Sequence, residues 1–290
     1  MSRMPPLLTF ARLTVWEISR RRLLIALAAL TLVVIVATSW GFSHLKDPGL
    51  NGGRPLGEVE LRILASQLLI LVAFLFSGVL ALSAAFVGAP SLSGDVESNL
   101  ALALLARPVR RSDFVLGKWL GMAVLVVAYA AGTALLAVLG VWIATGYVPP
   151  NVAGLIVSVA GEGLVVLTLS LLLSTRVAGM TGGIVALVLW FMAWIGGIAG
   201  GIGHALQNGA LTTAGLVMGL IMPTDALWRS AVFSMEPVAV VAGFREGGAA
   251  IAANPFAATA PIPLGMLVWS VVWVIAILIL AVVSFRSREI

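Results

Sequence analysis

The chain has 290 residues, 61% hydrophobic and only 10% charged, with a mean hydropathy of +1.12 and no cysteine. A soluble domain carries about 25% charged residues, so this composition excludes a soluble globular fold and points to a polytopic membrane protein. The missing thiols exclude disulfides, thiolate metal sites and thiol catalysis, and no basic stripe with interleaved aromatics outside the apolar runs supports nucleic-acid binding.

Pro5 and Pro6 suit a helix start. Beyond them Leu7, Phe10, Ala11, Val15 and Ile18 fall on one side at about 100° per residue, with Thr9, Arg12, Ser19 and Arg20 on the other. This predicts a helix lying along the inner leaflet, with Trp16 near the headgroups and Arg20, Arg21 and Arg22 facing anionic lipid. Six runs long enough to cross a hydrocarbon core of about 30 Å follow at about residues 23–42, 63–89, 119–145, 152–174, 178–203 and 264–285. The first is read as a retained span, since it exceeds a signal-peptide core and ends at Thr38-Ser39-Trp40 without a small-x-small cleavage site.

Between the first two runs, Asp47-Pro48-Gly49 and Asn51-Gly52-Gly53 are turn chemistry without periodicity, so His44 to Arg62 is expected to be an irregular cap. Gly146-Tyr147-Val148-Pro149-Pro150-Asn151 predicts a tight turn between the third and fourth runs. Thr175-Arg176-Val177 is short enough to make the fourth and fifth an antiparallel hairpin. Glu162 lies in the fourth run between Gly161 and Gly163. A carboxylate at that depth costs at least about 2.5–3.5 kcal/mol, so it must face the bundle interior, a hydrated cavity or a partner helix. It is either hydrogen-bonded to a neighbouring helix or placed on a pathway or moving helix. In the fifth run Gly179/Gly183, Gly196/Gly200 and Gly197/Gly201 put small faces in line, for a subunit interface or a contact within the chain.

From His204 to Pro263, the apolar stretch Ala210–Met222 is too short to span and predicts a re-entrant or interfacial helix. Pro223-Thr224-Asp225 ends it. A second short helix carrying Trp228 and Arg229 is expected to be capped by Thr224 or Asp225, with Gly243–Gly248 and Pro255–Pro263 as loops. The fold class is therefore an all-α membrane protein, a single transmembrane domain over residues 1–290. It has six transmembrane helices, an N-terminal interfacial helix and a re-entrant or interfacial helical segment before the last span.

Orientation follows from the cations, which are retained on the cytoplasmic side. With the N-terminus inside, the inner segments hold Arg3, Arg12, Arg20, Arg21, Arg22, Arg107, Arg110, Arg111, Lys118, Arg176, Arg286 and Arg288. The outer loops hold only Lys46, Arg54, Arg62, Arg229 and Arg245. Both termini are expected to be cytoplasmic, and the chain to be a multi-pass protein of a prokaryotic plasma membrane.

Soluble catalytic motifs are absent. Gly117-Lys118 resembles the end of a phosphate loop, but Ser112 stands where its first glycine belongs and Trp119 where Ser or Thr is needed, which argues against a Walker site. Two histidines, His44 and His204, are too few for a haem or multi-histidine centre. The chain is expected to be neither an enzyme nor the holder of a cofactor.

One stretch between the second and third runs concentrates charge: Asp95-x-Glu97-Ser98-Asn99-Leu100, Leu104-Leu105-Ala106-Arg107-Pro108-Val109-Arg110-Arg111 and Phe114-x-x-Gly117-Lys118. With the six runs, it resembles the permeases of type-2 ABC exporters, in which an acidic turn, an L-x-x-P-V-x-R sequence and a G-K pair recur. Pro223-Thr224-Asp225 with Trp228-Arg229, then Phe285-Arg286-x-Arg288, is similar to the branch of the nitrous-oxide-reductase maturation permease. Asn99 and the position of Arg229 depart from that pattern.

The resemblance implies a permease driven by a cytoplasmic ABC ATPase dimer that binds the ATP and Mg, paired with a second copy or a close relative. Asp95, Glu97, Ser98, Arg107, Arg110 and Arg111 would form the ATPase-coupling loop, with Ser93 or Asp95 capping a short coupling helix. Pro223, Asp225 and Arg229 would belong to the outer re-entrant segment. The alternative within the same resemblance is a non-transporting subunit that relays ATPase motion to an extracytoplasmic partner. A secondary transporter would show inverted repeats and several intramembrane ionisable groups, and an intramembrane enzyme would give Ser77 a histidine partner. Few fixed charges along the spans favour an amphiphilic cargo.

Overall fold

The computed structural model describes residues 5–20, 22–46, 56–98, 110–246 and 254–288. Arg107 and the L-x-x-P-V-x-R sequence, together with most of the turn residues between the first two spans, lie outside the described residues. The described helices are α1 (Pro6–Ser19), α2 (Arg22–Ser43), α3 (Glu58–Gly88), α4 (Pro90–Glu97), α5 (Arg111–Thr145), α6 (Val152–Ser174), α7 (Gly179–Ala205), α8 (Gly209–Ile221), α9 (Thr224–Met235), α10 (Val238–Glu246) and α11 (Leu264–Arg286). No strand occurs among the described residues.

Among the described residues, five helices are long and apolar enough to cross a membrane: α3 continued by α4 as one 40-residue rod, α5, α6, α7 and α11. The 22-residue α2, about 33 Å long at 1.5 Å per residue, lies where the first span is expected, with Ala29–Ser43 as its described apolar part. Two helices project beyond their apolar runs. In the first turn of α3 Glu58 and Glu60 favour the helix N-terminus, and Glu60 Oε2 accepts the Gly57 amide at 3.0 Å. The other is α5, which starts at Arg111.

Helix ends follow local chemistry. Gly146 (φ 79°) closes α5 in the left-handed conformation that glycine adopts freely. Asn151 Oδ1 accepts the Gly154 amide at 2.7 Å to open α6, and Asn208 accepts the amides of Ala210 and Leu211 to open α8. Gly243, expected in a loop, lies within α10.

The bundle is built around α6, whose apolar stretch is 72% buried against 28% for α7 and 17% for α11. Buried Leu167, Leu171 and Val166 of α6 pack in one core with Phe76 and Leu80 of α3 and Val126 of α5. The close approach needs small residues: a Cβ on Gly163 would lie 2.8 Å from Val126 Cγ1, and one on Gly88 2.8 Å from Ser170 Cβ.

α1 buries Ala11, Thr14 and Ile18, its apolar side being seated on α5. A Cβ on Gly117 would meet Phe10 Cβ at 2.6 Å, and one on Gly121 the Ala11 carbonyl at 2.5 Å. The stripe thus packs against α5. Trp16 stays 58% exposed, with the Arg20 guanidinium 3.7 Å over its ring.

α8 and α9 are long and apolar enough to span only as a pair, and the pair is bent by 95°. Pro223 stops α8 from continuing. Trp269 and Trp273 of α11 donate their indole N–H to the otherwise unpaired carbonyls of Leu220 and Ile221, at 3.1 and 2.8 Å, which holds the bend. The glycine stripe of α7 receives α8: a Cβ on Gly200 would lie 3.2 Å from Gly215 Cα, and one on Gly196 2.5 Å from Met218 Cβ. These glycines therefore serve a contact within the chain.

Candidate functional site

Three polar clusters interrupt the apolar bundle. The first lies at the basic end, where Arg111, Lys118, Arg176 and Arg288 gather. α4 carries the acids, but neither Ser93 nor Asp95 caps it. Pro90 occupies its first turn, Ser93 Oγ donates to the Ala89 carbonyl at 3.3 Å, and Asp95 and Glu97 sit at its C-terminal end. The correction is physical: Ala89 keeps helical backbone (φ −59°, ψ −47°), so α4 continues α3 and has no separate start to cap. Its early amides, Leu92 and Ser93, are taken by Ser174 Oγ of α6 at 3.0 and 3.1 Å.

Asp95 faces inward. Its carboxylate pairs with Lys118 Nζ of α5, which also donates to the Ser91 carbonyl at 2.6 Å. The two side chains are only 15% and 10% exposed, so the ammonium is matched by one charge and one dipole. The Gly117-Lys118 pair thus admits α1 with one residue and anchors α4 with the next.

Glu97 and Ser98, by contrast, are exposed, Ser98 Oγ turning back to the Gly94 carbonyl at 2.7 Å. Arg110 is exposed. Arg111 is committed within the chain, donating to the carbonyls of Arg286 and Arg288 at 3.2 and 2.7 Å, a favourable place for a cation at the C-terminus of α11. Arg176 donates to Ser287 Oγ at 2.6 Å and Arg288 to the Thr175 carbonyl at 2.9 Å. The loop predicted as one docking unit therefore divides into a fastened part, Asp95 and Arg111, and an outward part, Glu97, Ser98 and Arg110.

The second cluster centres on Glu162, buried on α6. Its Oε2 accepts Ser77 Oγ of α3 at 2.6 Å and its Oε1 accepts Trp190 Nε1 of α7 at 2.7 Å. One carboxyl group thus joins three helices. Sequence reasoning singled out Glu162 but not Trp190. The available signal was an indole N–H in an apolar run, which needs a partner when buried.

The third cluster is at the opposite end. Pro223 precedes α9 at the bend, and no side chain caps this helix. Asp225 Oδ2 instead accepts Arg229 Nε at 2.9 Å, four residues on. The Asp225 carboxylate abuts Gly197 of α7, where a Cβ would overlap it. Trp228 Nε1 donates to the Pro255 carbonyl at 2.8 Å and pins residues 254–258 across α9. Glu236, just past α9, accepts the Ala258 amide at 3.2 and 3.3 Å, and burial pushes its carboxyl up to about 8.

A bundle of apolar spanning helices with a bent pair near one end and fastened cations at the other defines a multi-pass membrane protein. Residues 14–290 match the model of the ABC-2 family transporter protein, and the chain belongs to that family. It is the permease subunit of an ABC transporter, a membrane transport component that associates with an ABC ATPase. A search of curated proteins finds no match.

Proposed function

We propose that this permease exports an amphiphilic substrate, powered by a cytoplasmic ABC ATPase dimer that docks on the exposed end of α4. The observation that carries the reading is the fastening of α4. Lys118 and Ser174 hold the helix to α5 and α6, while Glu97 projects from its far end. Because α3 and α4 form one rod, a push at Glu97 moves α3, whose Ser77 is bonded to Glu162. Arg110, just before α5, offers an exposed cation. The concentration of Lys and Arg at the basic end supports a cytoplasmic position for that end, and with it cytoplasmic termini in a prokaryotic plasma membrane.

A second copy of the chain, or a close relative, completes the pathway. The sparse burial of α7 and α11 leaves apolar surface for lipid and that copy. ATP and Mg belong to the partner ATPase. Few fixed charges inside the bundle support an amphiphilic cargo, and the resemblance to type-2 exporters supports the outward direction.

The test is purification in mild detergent followed by reconstitution in liposomes. The reading expects a Walker-type ATPase to accompany a dimer of this chain, and ATP-dependent movement of an amphiphile. A complex that hydrolyses ATP but moves none of a broad panel of amphiphiles would instead support a subunit that relays motion to an extracytoplasmic partner.

A further inference from the structure

At the end opposite the fastened cations, α7, α8, α9 and residues 257–263 line an open cleft of about 740 Å³, within the range of small-molecule sites. Its walls are mostly backbone and apolar side chains, among them Gly200, Gly201, Leu216 and Ile262. Asp225 and Arg229 are the charged groups among its lining residues. Their mutual bond uses Asp225 Oδ2 and Arg229 Nε only. Asp225, 9% exposed, leaves Oδ1 buried without a hydrogen-bond partner, and Arg229 Nη2 is buried and unpartnered beside it.

Buried charges left half-bonded are costly, so such atoms call for a partner. A carboxylate oxygen takes a donor and a guanidinium nitrogen takes an acceptor, and the pair has no net charge to favour an anion or a cation. We propose that this cleft is a binding site for a zwitterionic group, its ammonium directed to the Asp225 carboxylate and its phosphate or carboxylate to the Arg229 guanidinium. The apolar wall receives the attached hydrocarbon. His204 on the rim is exposed and marks the open side. A phospholipid headgroup and a free zwitterionic metabolite share this chemistry. The site stands independently of ATPase docking and of whether its occupant is the transported cargo.

Native mass spectrometry of the purified permease with equal phosphatidylethanolamine and phosphatidylglycerol reads the lipid arm. Competition by soluble glycerophosphoethanolamine reads the headgroup alone. The expected result is preferential retention of phosphatidylethanolamine, with binding about 30-fold or more weaker in Asp225→Asn and Arg229→Met. Ala226→Trp fills the cleft while keeping both charges, so it should lose binding with an unchanged melting temperature. Binding of the soluble zwitterion without lipid retention, abolished by the same variants, would assign the site to a free ligand. Equal retention of the two lipids, or zwitterion binding unaffected by Ala226→Trp and Asp225→Asn in folded protein, would overturn the proposal.

Discussion

Lys118 and Asp95 form a largely buried ion pair between α5 and α4, and Lys118 reaches the Ser91 carbonyl on the same helix. Asp95→Asn leaves the ammonium without its counter-charge, and breaking a pair of this kind costs about 3 kcal/mol or more. The melting temperature in detergent should fall clearly. The double variant Asp95→Leu with Lys118→Met, which removes both charges, should recover most of it. Equal losses in the single and double variants would mean that the pair itself contributes little.

The division of the charged loop predicts two phenotypes. Glu97→Lys and Arg110→Glu alter exposed groups, so the permease should keep its yield and melting temperature while ATPase recovery in pull-downs drops. Arg111→Glu removes the cation from the carbonyls of Arg286 and Arg288, so it should lower permease stability itself, by about 1–2 kcal/mol. Matching behaviour of positions 110 and 111 in thermal melts would contradict the assignment.

Glu162 accepts one hydrogen bond from Ser77 and one from Trp190. In Glu162→Gln the amide oxygen accepts the indole N–H and its NH2 donates to the Ser77 hydroxyl, so assembly should survive. Glu162→Leu strands the indole N–H in the bundle, at a cost of about 1–3 kcal/mol. Melting curves of the two variants separate these outcomes. Transport by Glu162→Gln then decides the carboxyl's role: loss with normal assembly marks a functional group, and retention leaves a structural joint.

Glu236 supplies a pH dependence. Burial raises its folded-state pKa from 4.5 to about 8, so folding favours the protonated acid. Its contribution to stability is fully present below about pH 4.5 and is lost as pH rises through about 8. Thermal melting between pH 6 and 9 should show a decline that Glu236→Gln removes. An identical decline in the variant would place its origin elsewhere.

Much of the architecture was legible because transmembrane runs are dictated by thickness and hydropathy: the fourth run was predicted at 152–174, the bounds of α6, and Ala210–Met222 became α8 with its end at the Pro223 bend. Interactions between distant residues were not legible. The glycine stripe of α7 announced close packing without saying that Gly215 of α8 sits opposite. The acids near residue 95 looked alike, yet only Asp95 turns inward, because Lys118 on α5 is within its reach. Capping of α9 by Thr224 or Asp225 failed for a similar reason: Arg229, one turn on, engages the Asp225 carboxylate. The inward face of α1 was read correctly, but periodicity does not name the surface it meets, here the gap that Gly117 and Gly121 leave on α5.

The central claim, that the ATPase docks on the exposed end of α4, is tested most directly by cross-linking. Because the chain has no cysteine, Glu97→Cys creates a single thiol for a maleimide photo-cross-linker in intact membranes. Leu206→Cys, 70% exposed in the native residue just past α7, is the control at the opposite end. The account predicts a cross-link from position 97 to a Walker-type subunit on the cytoplasmic side and none from position 206. A thiol at position 97 that is labelled by impermeant reagents from outside the cell, or that cross-links to no ATPase when position 206 does, would contradict it.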